Sequence, residues 1–134
     1  MLRILIVVLA LADGILHFAL NWILFRGNLF GPLGFPSPWP VAMNHLFVLN
    51  LVGYIVLAVA FLFGPRLLGS RRWVLDGVLI VYTLLSIAGW LQIGSPNPRG
   101  LGLIAKSLEV ALIVALAAHA WSVARSGRAV RSNA

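Results

Sequence analysis

The sequence predicts an all-α fold, an integral membrane bundle of four helices running up-down-up-down. Three observations lead there. Only 10% of the 134 residues are charged and 61% are hydrophobic, whereas an ordinary soluble domain carries about 25% charged residues. The apolar residues gather in four runs, each near the ~20 residues that a bilayer-crossing helix needs, and mean hydropathy is +1.01. Trp22, Trp39, Trp73, Trp90 and Trp121 all fall near the ends of those runs, where an amphipathic ring prefers to sit at a membrane interface.

The first span covers residues 2–25. Arg3, a short apolar stretch and Ala10-Leu11-Ala12 before Asp13 resemble a cleavable leader. The apolar run continues to Phe25, however, and a cut there leaves half a span, so a retained helix is expected. Gly27, Gly31, Pro32, Gly34, Pro36, Pro38 and Pro40 fill the first connection and keep it from being helical. The second span covers 41–63 and stops at Gly64-Pro65; the third covers 73–93 and stops at Gly94, Pro96 and Pro98; the fourth covers 101–123. Backbone groups facing lipid must be satisfied within the segment, which makes helices of all four. Short connections favour consecutive helices as neighbours, and Gly14, Gly53, Ala111, Ala115 and Ala118 offer close approach. Residues 1–124 thus read as one transmembrane domain. Residues 125–134 read as a basic cytoplasmic tail, polar and frayed, with arginines near anionic lipid heads.

Basic residues orient the chain. Arg3, Arg66, Arg71, Arg72, Arg125, Arg128 and Arg131 lie on one side, and Arg26 and Arg99 on the other, with Lys106 inside the fourth span. The richer side is cytoplasmic by the positive-inside rule, so both termini are cytoplasmic and the protein is a multi-pass cell-membrane protein. In a soluble protein the net charge of +7 would raise nucleic-acid binding. Here the charges lie between or beyond apolar runs, so the bilayer is the partner and nucleic acid is not. With no cysteine, disulfides, thiolate metal sites and thiol redox chemistry are excluded.

Ionisable groups within a bilayer cost a few kcal/mol each and are functional suspects. The first span holds Asp13, His17 and Asn21 at i, i+4, i+8, along one stripe. The second opens with Asn44 and His45, the third closes with Gln92, and the fourth carries Lys106 and Glu109 at i, i+3. At ~1.5 Å per residue, His17, His45, Lys106 and Glu109 fall in the outer half of the bilayer and Asp13 near its middle. These eight residues are the candidate ligand-binding set. The simplest account is mutual neutralisation: Glu109 with Lys106 or His17, and Asp13 holding the His17 ring. The functional account is a pocket for a polar head group, a quinone ring or a proton. Asp13, His17, His45 and Glu109 include acceptable ligands for zinc or iron, with His17 and His45 the candidate metal and haem histidines, although Lys106 beside Glu109 competes with a cation and no ExxH or HxxxH spacing is present. His119 reads as an interfacial residue near Trp121 with Asp76 for company. Asn50, Tyr54, Tyr82, Thr83 and Ser86 are interior polar residues of common type. No catalytic triad, phosphate-cradling loop or paired-carboxylate site appears. The apolar stretch of residues 28–36 is expected to lie on the membrane, cover the bundle mouth or meet a partner.

Arg3 with Gly14-Ile15-Leu16-His17-Phe18, and Lys106-Ser107-Leu108-Glu109 opening the fourth span, resemble the DoxX-like membrane proteins, small four-helix proteins of similar length. The resemblance implies a membrane component accompanying quinone-linked or thiol-linked redox systems, with His17 and Glu109 as pocket-forming groups. This chain differs in lacking cysteine and in its longer, proline-rich first loop, which argues against a direct thiol role. Three functions are therefore in competition. The first is a non-catalytic subunit or accessory of a larger membrane complex, with protein partners or as a homo-oligomer. The second is a bundle holding a quinone, lipid head group or haem at the polar cluster. The third is an oligomeric transporter or channel.

Overall fold

A computed structural model of the chain describes residues 1–25 and 41–132. The described backbone forms α1 (Leu2–Phe25), α2 (Met43–Phe63), the single turn α3 (Pro65–Leu68), α4 (Trp73–Gln92) and α5 (Leu101–Ser132). The four long helices are all-α and long and apolar enough to cross a membrane. Their bounds match the spans expected from sequence to within two residues at all but one end.

The exception is α5, which continues through Ser132 instead of fraying after Ala124. The added stretch contains no proline and only one glycine, Gly127. Alanine, arginine and valine there carry little helix penalty. Arg125 also stacks over the Trp121 ring one turn back, 4.9 Å from its centroid, which favours continuing the helix.

Local chemistry sets the turns. Gly64 ends α2 with its N–H on the Ala60 carbonyl at 2.7 Å, and Pro65 follows as the first residue of α3, where its missing N–H costs nothing. Between α4 and α5, Gly94 and Gly100 have φ of 84° and 79°, the left-handed region that glycine enters freely. The Trp90 indole donates to the Pro96 carbonyl at 2.9 Å. Asn97 Oδ1 accepts from the Leu103 backbone N–H at 3.1 Å, satisfying one of the open donors at the start of α5.

α1 packs against α2 and α5, α4 packs against α5, and the contact of α2 with α4 is the sparsest of the four. Gly14 permits the first of these: a Cβ there would stand 3.2 Å from the Tyr54 Cβ and 3.3 Å from a Leu51 methyl. Ile6, Ala10, Tyr54, Phe61, Leu79, Leu112 and Leu116 form the buried core. Ala115 joins it, whereas Ala111 and Ala118 are exposed. Around this core the usual arrangement of a soluble protein is inverted. Val8, Ile15, Val56, Val81, Val110 and Val114 are exposed, while all three acidic residues of the chain, Asp13, Asp76 and Glu109, are buried.

Candidate functional site

Glu109 is the hub of the polar cluster. It is fully buried at 0% exposure, three residues beyond Lys106 on the same face of α5. The Lys106 ammonium lies 2.6 Å from both carboxylate oxygens. From α4, the Ser86 hydroxyl donates to Glu109 Oε1 at 2.7 Å. From α1, His17 Nε2 lies 3.5 Å from the same oxygen and 3.4 Å from Ser86 Oγ. Three helices thus converge on one carboxylate. Charge-assisted bonds of this kind are about twice as strong as neutral ones.

The second carboxylate lies one turn deeper. His17 Nδ1 is 3.0 Å from the Asp13 carbonyl oxygen and 3.4 Å from Asp13 Oδ1. The imidazole therefore stands between the two acids, with one ring nitrogen toward each. Asp13 is fully buried, and neither of its carboxylate oxygens accepts a hydrogen bond of good geometry. Beside it, Thr83 donates to the Leu79 carbonyl at 2.8 Å, and the Tyr54 hydroxyl lies 3.4 Å from Thr83 Oγ1.

Next to the cluster is a cavity of about 380 Å³. Its walls come from α2 (Met43, Leu46, Phe47) and from α4 and its following turn (Gly89, Trp90, Pro96), and its floor holds His17, Ser86 and Lys106. The lining is otherwise almost wholly apolar. Asp13 and Glu109 do not line it. They sit one layer behind, so the cavity sees donors backed by acids. Lys106 also lies 5.7 Å from the Trp90 ring centroid. Leu49 and Leu85 line the cavity while 53% and 60% exposed, so it opens sideways between α2 and α4, where the helices touch least. Tyr82 also lines it. Its ring meets Tyr54 edge to face at 5.0 Å, and its hydroxyl donates to the Asn50 and Leu49 carbonyls at 3.3 and 3.4 Å. That reach is possible because Gly53 has no side chain: a Cβ there would collide with the Tyr82 hydroxyl.

Of the residues singled out from sequence, Asp13, His17, Lys106 and Glu109 come together. Asn44 is buried in the first turn of α2, and Asn21 lies on α1 among residues whose side chains are not described. His45 is half-buried and does not line the cavity, and Gln92 is exposed at the end of α4. Ser86, an interior residue of common type by its sequence, is a full member of the cluster. The stretch 28–36, expected to cover the bundle mouth, lies outside the described residues.

Asp13, His17 and Glu109 each offer a ligand atom within 4.8 Å of the others, a donor set that several divalent cations accept. Glu109 is engaged by Lys106, however, and His17 divides its nitrogens between the two acids. A cation would have to displace the ammonium and turn the ring. His45 is not in that group, and of the two histidines His17 lines the cavity.

A second polar group lies at the other end of the bundle. His119 Nδ1 is 2.8 Å from Asp76 Oδ1, the companionship expected from sequence. The Phe61 ring lies 5.2 Å from the His119 ring, and Arg3 donates to the Phe61 and Leu62 carbonyls at 2.9 and 3.1 Å.

Comparison with family models, with curated proteins and with solved structures returns no match to this chain.

Proposed function

We propose that this chain is a multi-pass membrane protein that holds a small lipid-soluble ligand beside the cluster of His17, Ser86, Lys106 and Glu109. The observation that carries the reading is the cavity of about 380 Å³, apolar in its walls, donor-bearing at its floor and open sideways at Leu49 and Leu85. Ligand sites combine a mostly apolar concavity of about 300–1,000 Å³ with a few convergent polar groups. A mouth lined by exposed leucines suits entry from a hydrocarbon phase better than entry from water.

Membrane insertion is supported by the exposed apolar belt and the burial of every acid. An up-down-up-down course is supported by the contacts between helix ends: Arg3 near the start of α1 meets the end of α2, and Asp76 near the start of α4 meets His119 toward the end of α5. The arginine asymmetry supports cytoplasmic termini, which places the cavity in the outer half of the membrane. The reading keeps to the ligand-holding alternative and agrees with what resemblance to the DoxX-like proteins implies for His17 and Glu109. The accessory-subunit reading rests on the short chain, the lack of a catalytic motif and the apolar outer connection, the last of which lies outside the described residues.

The test is ligand retention. Gly89 lines the cavity, and a Cβ there meets nothing within 4 Å, so Gly89→Phe fills the space without a backbone clash. Protein purified from membranes in mild detergent is extracted with organic solvent and the extract analysed by mass spectrometry. The wild type retains a stoichiometric lipid-soluble compound that the variant loses. Equal content in the two proteins removes the cavity as the binding site.

A further inference from the structure

The charges around the cavity restrict what it can hold. Among the described residues, the titratable groups facing it or standing directly behind it are Asp13 and His17 on α1, Tyr54 on α2, Tyr82 on α4, and Lys106 and Glu109 on α5. With both tyrosines neutral, two carboxylates face one ammonium and one imidazole. Lys106 contributes no spare positive charge, because Glu109 sits 2.6 Å from it through both oxygens. What Lys106 does have is a spare hydrogen. An ammonium carries three donors, its hydrogen bond within the pair goes to Glu109 Oε1, and Lys106 lines the cavity.

An anionic head group entering this cavity would compete with Glu109 for the ammonium. The displaced carboxylate would be left in an apolar interior, held by Ser86 and His17 only, and an uncompensated buried charge is strongly unfavourable. A neutral acceptor makes no such demand. A carbonyl oxygen can take a Lys106 hydrogen that Glu109 leaves free while the ion pair stays intact. The Phe47 and Trp90 rings in the wall suit a flat apolar body.

We propose that the cavity selects a neutral ligand carrying a carbonyl-type acceptor oxygen on an apolar ring, the chemistry of a quinone, and rejects anionic amphiphiles of matching length. This rests on the ligand-holding reading above and narrows it to one class.

The full chain is placed in nanodiscs of zwitterionic lipid and titrated calorimetrically with a decyl-substituted benzoquinone and, separately, with dodecyl phosphate. Empty nanodiscs are subtracted in each case. Wild type binds the quinone saturably and binds dodecyl phosphate at least ~100-fold more weakly, the discrimination expected when binding must strand a buried charge. Glu109→Gln keeps the size of the side chain and frees the ammonium, so it gains dodecyl phosphate binding by at least ~10-fold over wild type. Comparable wild-type affinity for the two probes overturns the selectivity. Saturable binding of neither probe, in a protein that still retains a native compound, overturns the quinone class and leaves the cavity reading standing. The wild-type comparison needs no variant, so it decides the matter even where Glu109→Gln fails to fold.

Discussion

The coupling between Lys106 and Glu109 can be measured directly. Glu109 is fully buried and takes its ammonium partner at 2.6 Å and the Ser86 hydroxyl at 2.7 Å. Glu109→Gln leaves the ammonium without a counter-charge, and removing one partner of a buried pair costs about 3–5 kcal/mol. Lys106→Met leaves the carboxylate, but the Ser86 hydroxyl still donates to it, so the loss falls near the lower end, about 3 kcal/mol. The double variant carries neither charge. Its amide can still accept from Ser86, and replacing a whole buried pair by neutral groups is often close to neutral. The singles therefore sum to at least about 6 kcal/mol, while the double loses far less, giving a coupling of about 2–3 kcal/mol or more. Unfolding in mixed micelles, titrated with a denaturing detergent and followed by far-ultraviolet circular dichroism, gives the four stabilities. Additivity of the two singles to within about 0.5 kcal/mol is the behaviour of independent sites. That result refutes a charged, contacting pair and the charge balance derived from it.

Two further perturbations test the surroundings. Gly53→Ala drives a Cβ into the Tyr82 hydroxyl and costs about 1–3 kcal/mol, the usual penalty for overpacking; adding Tyr82→Phe removes the obstructing oxygen and recovers part of the loss in the same detergent titration. His119→Ala breaks the 2.8 Å contact to Asp76 and costs about 1.5–3 kcal/mol, as for a hydrogen bond to a charged group; extracted ligand content stays at the wild-type level because His119 is ten residues, or about 15 Å of helix, from Glu109.

Much of the cluster could be read from helix geometry alone. Asp13 and His17 share a face by spacing, Lys106 and Glu109 share another, and the rise per residue puts both pairs at similar depth. His45 shows where that ruler fails. It measures depth and not azimuth, and adjacent residues on a helix are about 100° apart. Asn44 is buried in α2, so its neighbour is turned aside. Gln92 is six positions from Ser86, which puts it about 120° away around α4, and it is exposed. Ser86 has no signature in the sequence, because a lone serine in an apolar helix carries little information. Its distance from Gln92, about 9 Å, would have put it level with His17. The cavity had no sequence signature. It depends on how far α2 and α4 stand apart, which is set by the span of Tyr82 across Gly53 and by the small residues Gly89, Gly102 and Ala105 that line it. The continuation of α5 past Ala124 was obscured by composition. Charge and polarity read as a tail, although no residue there stops a helix.

The two polar groups bear on the transporter reading. Between Arg3 and Asp13 on α1 lie the buried Ile6 and Ala10. Between Asp76 and Thr83 on α4 lies the buried Leu79, and between Glu109 and His119 on α5 lie the buried Leu112, Ala115 and Leu116. On α2, Ala58 is buried between Tyr54 and Phe61. Every long helix therefore contributes apolar side chains to one layer that separates the cluster at the cavity from the pair at the opposite end. An ion or proton leaving His17 would have to cross this layer without a hydrogen-bonding partner among the described residues, a passage made costly by desolvation. The cavity, by contrast, needs no such route, since its mouth at Leu49 and Leu85 opens on the exposed apolar face of the bundle. A site closed toward one end of the bundle and open at its side suits the proposed exchange of a lipid-soluble occupant better than passage from one end of the bundle to the other.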